Sequence, residues 1–509
     1  MKEICYRVVK YAFVFLMIVI ITDIFLLSDK INRLYRQPLL LSNRIIFFLS
    51  SLIVLILILL QQAMFRKSIL SDKYIKLFIF ANTLVFAVQI FITKNIYFFT
   101  GWDAGAIRKT VFDLLYNNGV IGKGNQYYWY SLNPNNLNLT GIFFIIQKIF
   151  MSLGFKDYVG LLIVNCIVVN IAGIFTFFCS LRITKNKRYA FFSWIIYTFL
   201  VSLSPWISIP YSDTYSIIFP ILAYYLYITR AGNENNYLRW FLIGLICFLG
   251  YTIKPTSIIV LIAIIIIEII KLRASLNKKA LLKKVLNLSF VLLAIVPTFM
   301  VNDYLGQITG SDLDSNKKLT ILHYAMMGLN TDSSGGYSDD DVKFSASFET
   351  IAKRNEANIL VIKERLREFG FLGYLEFLAE KLLVNFSDGS FGWSREGNFY
   401  EIIPQREQKI SSLLTNYFYK NGKYYKLFLT LTQLLWFSTL ILLFGFGISM
   451  FRPNYQIATL MLTLIGISIF VMLFEARARY LYNHLPFFTI GAGIGMLKIN
   501  SQINKETIS

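Results

Sequence analysis

The sequence predicts an all-α polytopic membrane protein, and three observations carry that prediction. Of its 509 residues 56% are hydrophobic and 17% aromatic, with a mean hydropathy of +0.56, outside the range of soluble globular chains. Apolar runs recur along nearly the whole length, about a dozen of them approaching the roughly 20 residues that a bilayer requires. The formal net charge of +21 is concentrated in short stretches between those runs, where Lys and Arg set orientation and meet anionic lipid, so nucleic acid is not the expected partner.

Taken in order, the expected spans lie near 8–27, 41–60, 75–96, 158–180, 189–203, 214–229, 238–253, 256–270, 285–301, 426–449, 455–474 and 480–497. The first run, from Tyr11 to Leu27, has no small-residue cleavage site and is followed by further spans, so it reads as a retained helix. Residues 137–153 form a shorter apolar run that opens on Ser131-Leu132-Asn133-Pro134-Asn135-Asn136 and closes on Gly154, a pattern suited to a re-entrant or juxtamembrane segment. Cys5, Cys166, Cys179 and Cys247 have no CxxC spacing and are expected to be inert packing residues. Gly491, Gly493 and Gly495 lie in an apolar run with no preceding strand, so they predict close helix packing and no phosphate loop.

Charge decides the orientation. The basic groups at Arg66 to Lys76, Arg182 to Arg188 and Lys271 to Lys284 can all be cytoplasmic only if 137–153 does not cross, which leaves both termini inside. One loop, Lys30 to Arg44, carries four basic residues and must then face outward against the trend. The chain divides into a two-helix extension (1–74), a transmembrane core (75–302) with a first outer loop (97–157), an extracytoplasmic region (303–425) and C-terminal helices (426–509). The 303–425 region has an amphipathic helical pattern from about Phe348 to Phe369 and an apolar, interfacial helix from Phe371 to Val384, and it is expected to cap the membrane core.

Polar oddities gather on the predicted outer face. Asp103, in Trp102-Asp103, stands where the 75–96 span gives out, so it is either a carboxylate desolvated enough to act as a base or the N-cap of the run from Ile107 to Leu115. Asp213, after Tyr211-Ser212, is either a second acidic site residue or a cap. Lys254 precedes Pro255 at a helix boundary as a candidate anion ligand. In Glu475-Ala476-Arg477-Ala478-Arg479 the two arginines oppose the positive-inside trend, and they either bind phosphate bidentately or pair with Glu475 to hold the helix ends together. Asn133 and Asn135, with Tyr130 and Trp102, offer amides and aromatic faces that suit sugars and also suit any membrane interface. Asp339-Asp340-Asp341 is expected to be a solvated loop run, and the isolated His323 and His484 make no metal site.

Together, the early Trp102-Asp103, the Asn133-Pro134-Asn135 entry to a short apolar segment, the outward Asp213 and the late Arg477-Ala478-Arg479-Tyr480 resemble the GT-C glycosyltransferases. The nearest branch is the bacterial protein-mannosyltransferase and aminoarabinose-transferase type. Two stretches, Met326-Met327-Gly328-Leu329-Asn330 with Gly335-Gly336-Tyr337, and Ser387-Asp388-Gly389-Ser390-Phe391, resemble those of Gram-positive members. The resemblance covers the chain from about residue 75. It implies a GT-C fold, Asp103 as catalytic carboxylate, Asp213 as the second acidic residue, and Lys254 with Arg477 or Arg479 as the donor-phosphate site. It further implies a polyprenyl-phosphate-linked sugar donor and a glycan, lipid or protein acceptor at the outer face of the plasma membrane. Substrate contacts are then expected from Trp102, Tyr130, Asn133, Asn135, His323, Asn330 and Glu475. The sequence departs from the pattern in having Asn133-Pro134-Asn135 for the usual His-Pro-Pro or Lys-Pro, and Ser212-Asp213-Thr214 for Asp-x-Asp. The second departure weakens any case for a divalent metal, and no cofactor is implied. A lipid-linked glycan flippase and a polysaccharide polymerase or ligase are the rival readings. A flippase would be expected to show internal symmetry and broken helices at midplane.

Overall fold

The computed structural model describes residues 2–31, 33–65, 73–117, 121, 124–155, 158–229, 236–273, 278–406, 408–449 and 454–506. The chain runs through α1 (Lys2–Leu27), α2 (Asn43–Phe65) and α3 (Lys73–Ile96), then through α4 (Asp103–Tyr116), α5 (Gly124–Leu132) and α6 (Asn135–Ser152). It continues with α7 (Val159–Thr184), α8 (Lys187–Tyr197), α9 (Ser212–Tyr215), α10 (Ile218–Ile228), α11 (Tyr237–Ile253), α12 (Ile259–Arg273), α13 (Lys278–Leu293) and α14 (Ile295–Ile308). The polar region holds α15 (Ile321–Met327), α16 (Asp339–Ala346), α17 (Ile351–Phe386) and α18 (Lys409–Phe418), and the chain ends with α19 (Tyr425–Ile448), α20 (Tyr455–Leu473) and α21 (Leu485–Glu506). Among the described residues the one β contact is an antiparallel bridge between Phe99 and Ile402.

Eight helices among the described residues are long and apolar enough to cross a membrane. The expected spans near 189–203, 214–229 and 238–253 fall on shorter or interrupted helices. α8 runs into a π turn at Thr198–Ser202, α9 and α10 are separate, and α11 is 17 residues long. The span expected near 480–497 opens with a 3-10 turn, Ala478–His484, before α21. Length and apolarity thus give eight spans where twelve were expected. The basic run expected to begin at Arg66 lies outside the described residues up to position 72.

Uniformly apolar helices divide by what covers them. In α7, α19 and α20 more than half of the apolar window is buried, which places them at the centre of the bundle, whereas in α1, α2 and α3 the buried share is 28%, 22% and 17%. A helix that is apolar all round yet open to the outside is suited to lipid. α21 packs tightly on α19 and α8, and its glycines are the reason. A Cβ on Gly491 would lie 2.2 Å from Leu443 Cδ1, and one on Gly495 would lie 2.0 Å from the carbonyl of Leu442. α1 packs on α17, α19 and α20, and α2 on α19. Cys166, Cys179 and Cys247 are buried, and all four cysteines are free thiols.

The polar region is organised around Arg354, whose guanidinium donates to the carbonyls of Ser345, Asn316, Lys318 and Phe348 at 2.7 to 2.9 Å. α17 breaks at Gly370, whose φ of 59° stands in the region that glycine enters freely, so two helices result where the sequence predicts two. Asp339-Asp340-Asp341 corrects an expectation. These residues form the first turn of α16, capped by Ser338, and Asp341 is buried and bidentate with Arg365. An isolated carboxylate would not stay buried there, but one held by a planar guanidinium can.

Candidate active site

Five separate stretches of chain bring charged groups together. Asp103 is the first residue of α4, with Trp102 as N-cap and no side-chain capping bond, so the cap reading of Asp103 does not hold. Gly105 makes the tight entry to α4 possible, since a Cβ there would lie 1.9 Å from the carbonyl of Thr100. Asp213 sits in α9, where Tyr211 is the N-cap, and its carboxylate is turned inward. Lys254 ends α11 and is buried. Glu475, Arg477 and Arg479 come from the junction between α20 and α21.

Asp213 is the pivot. Its Oδ1 accepts from the Lys254 ammonium and its Oδ2 from Arg479 Nη1 at 3.2 Å. Arg479 Nε lies 3.0 Å from Glu396, while Arg477 bridges Glu475 at 3.2 Å and Glu396 at 3.4 Å. Tyr480 donates to Glu475 at 2.6 Å, and its ring lies 4.9 Å from the Lys254 ammonium. The Arg479 guanidinium lies over Trp102, 4.7 Å from the ring centroid, and Trp102 meets Tyr211 edge to face at 4.9 Å. Below the cluster, Asn483 exchanges hydrogen bonds with Thr256 and thereby fixes the Lys254-Pro255-Thr256 turn against the Ala478–His484 turn.

Asp103 stands beside this network without an ion pair among the described residues. Its carboxylate accepts from the Tyr211 hydroxyl at 3.3 Å and the residue is partly exposed. Burial pushes its carboxyl above the ordinary value, Arg479 pulls it down, Glu396 and Glu475 push it further up, and the Tyr211 bond opposes them.

Glu396 is the functional candidate that sequence reasoning missed. It belongs to a segment that lies across the Asp103 turn. Phe99 N donates to the carbonyl of Ile402 at 2.9 Å, Glu401 N to that of Phe99 at 2.9 Å and Gly101 N to that of Asn398 at 2.9 Å. Lys109 and Glu401 add an ion pair at 2.7 Å. Asp388 accepts from the amides of Ser390 and Gly392, and Phe391, Ser394 and Asn398 all take positive φ, so several left-handed residues shape the approach to Glu396. Left-handed non-glycine residues are uncommon and cluster at functional sites. The nearby Ser387-Asp388-Gly389-Ser390-Phe391 stretch was the available signal.

Other expected contacts are not in the cluster. His323 is buried with Nδ1 on Ser345 at 2.8 Å, in a chain that continues to Asn358, and burial holds its imidazole down at about 4. Asn330 bonds Asp341 and the amides of Asp332 and Ser333. Burial, with Asp103 and Glu475 acting in the same direction, raises the phenols of Tyr324 and Tyr337 of the same region, and the Tyr337 hydroxyl bonds Asp339 at 3.4 Å. Tyr130 is buried on Thr140 at 2.6 Å, Asn133 bonds the carbonyl of Trp129 at 3.2 Å, and Asn135 is exposed.

A family model described as conserved hypothetical integral membrane protein matches residues 2–499. The chain belongs to that family. Membership agrees with the eight membrane-length helices and leaves the chemistry to the site itself. No curated protein matches the chain in sequence. Among solved structures it is similar to the oligosaccharyltransferase of Archaeoglobus fulgidus in its apo form, at 13% identity and a TM-score of 0.33. That match covers 84% of this chain and 51% of the other, so the chain spans about half the length of that protein.

Proposed function

We propose that the chain is a membrane glycosyltransferase that moves a sugar, with inversion, from a polyprenyl-phosphate-linked donor to a glycan, lipid or protein acceptor. One observation carries the reading: a partly exposed carboxylate, Asp103, stands beside a buried cluster in which Lys254, Arg477 and Arg479 meet from distant parts of the chain. A base next to cations able to hold a departing phosphate is what sugar transfer from a phosphate donor requires.

In this reading the acceptor proton passes to Asp103 as the acceptor oxygen or nitrogen bonds the anomeric carbon. The bond from that carbon to the phosphate oxygen breaks on the opposite side, and its electron pair leaves with the polyprenyl phosphate. A guanidinium has five N–H donors, and Arg477 and Arg479 each meet carboxylates through two nitrogens, which leaves donors for phosphate. Lys254 is committed to Asp213 and is the weaker phosphate ligand of the three. The site works at the outer face of the plasma membrane, with both termini cytoplasmic and residues 137–153 not crossing, as the distribution of basic residues favours.

The test is transfer of labelled sugar from a short-chain polyprenyl-phosphate donor in detergent, with donor binding measured in parallel. Asp103→Asn should lower transfer by roughly two to four orders of magnitude and leave donor binding intact. Arg477→Ala should weaken donor binding by roughly ten- to a hundredfold, the loss of one charge-assisted contact. Near-normal transfer by Asp103→Asn would refute the assignment.

A further inference from the structure

Two cavities lie at the C-terminal end of α1 and in the segment that leads to α2, the polar one lined also by Tyr35, whose hydroxyl donates to the carbonyl of Ser333 at 2.9 Å. One is an apolar groove of about 360 Å³ lined by Ile21, Thr22, Phe25, Leu26 and Phe47. The other is a polar cavity of about 260 Å³ whose lining includes Ser28, Asp29, Arg36, Gln37, Asn43 and Ser387. Arg44 joins them. Its guanidinium donates to the carbonyls of Phe25 and Leu26, both at 3.2 Å, at the edge of the groove, and it pairs with Asp29 of the cavity at 3.3 Å.

The polar cavity has unmet needs. Ser28 Oγ and Gln37 Oε1 are buried and have no hydrogen-bond partner among the described residues. Gln37 spends its amide donor on Asp388 and Ser390, which turns the carbonyl oxygen to the other side as an acceptor. Arg36 is exposed and pairs with no carboxylate among the described residues. Buried polar atoms are normally satisfied, so orphans lining a cavity point to a hydroxyl-bearing guest. An unpaired guanidinium at the same cavity points to a phosphate.

We infer that the α1–α2 hairpin holds one acidic glycerophospholipid with a hydroxylated head group, its phosphate on Arg36, its hydroxyls on Ser28 and Gln37, and an acyl chain along the apolar groove. The polar cavity, about 260 Å³, has room for a phosphoglycerol group. The site gives the basic loop Lys30 to Arg44 a reason to oppose the positive-inside trend, since its charge meets lipid phosphate. A choline head group has no hydroxyl for Ser28 or Gln37 and carries a cation that Arg36 repels.

The experiment uses the full chain in nanodiscs of mixed dioleoyl-phosphatidylcholine and dioleoyl-phosphatidylglycerol, with retained lipid counted by native mass spectrometry. One phosphatidylglycerol per chain is expected. Arg36→Gln, a surface change, should lower retention roughly tenfold or more, as for a lost charge-assisted contact, and Thr22→Trp, which fills the groove, should lower it by excluding the acyl chain. Equal retention of the two lipids, or full retention by both variants, would overturn the inference. So would displacement by an equimolar short-chain polyprenyl phosphate, which would make the occupant a sugar-carrier lipid. The readout is lipid retention and not sugar transfer, so it stands or falls apart from the proposed activity.

Discussion

Asp103 and Asp213 both lie in the first turn of a helix, and their neighbours make them chemically different. Asp213 is neutralised by Lys254 and Arg479, whereas Asp103 has a phenol for a partner and two carboxylates nearby that raise its proton affinity. If Asp103 is a base it must be deprotonated, so transfer should rise with pH through its raised carboxyl and then level off. Glu396 contributes to that rise in proton affinity. Glu396→Gln should therefore move the acidic limb of the transfer profile to lower pH, and a limb that stays in place would show that the two groups do not interact. Of these residues the sequence made Asp103, Asp213, Lys254, Arg477 and Arg479 legible, because charge at an apolar boundary is conspicuous. Glu396 was not legible, since nothing local separates it from other acidic residues of a polar region. His323 lies on α15 turned onto Ser345 and, through it, Asn358, away from the cluster, a placement that spacing alone did not reveal.

At the scale of elements, α17 does more than cap the bundle. Its second half carries Lys381, a buried side chain whose ammonium donates to the carbonyls of Gly328 and Phe474, both at 2.6 Å. Burial lowers its proton affinity to about 7, and Glu475 works against that shift. One side chain thus pins the turn after α15 to the residue before Glu475, beside the bond from Ala476 N to the carbonyl of Gly335 at 2.7 Å. Lys381→Met keeps the length and removes both donors, leaving two carbonyls unsatisfied. The expected loss is about 2 to 4 kcal/mol, read as a lower thermal unfolding midpoint of the purified protein. A Met variant of unchanged stability would mean that the pin is unimportant. Periodicity predicted both halves of α17, yet it could not predict the pin, which depends on three segments meeting.

For the whole molecule, the apolar runs made the all-helical membrane architecture legible, while the count of spans was not. Helices near the centre can be short or broken because other helices satisfy what lipid cannot, so apolar length ceases to report crossing there. Orientation can be read directly. Cysteines introduced at Arg182 and Asp312, both exposed, should label from opposite sides of intact cells, with Asp312 reached from outside. Arg182 reached from outside and Asp312 only from within would reverse the assignment of 137–153 as a segment that does not cross, and labelling of both from the same side would mean an even number of crossings between them. The buried native thiols should contribute little background.

The charged cluster also has an order of birth. Asp213 finds Lys254 only 41 residues later, and Arg477 finds Glu475 two residues away, so each buried charge meets an early opposite partner as the chain is made. The bond from Arg479 to Asp213 spans 266 residues and can close only after the last helical hairpin leaves the ribosome. Charges that would be costly to insert singly therefore enter the membrane as near-neutral pairs. The complete constellation exists only in the finished chain, so a nascent or truncated protein lacking the α20–α21 junction can hold no assembled site.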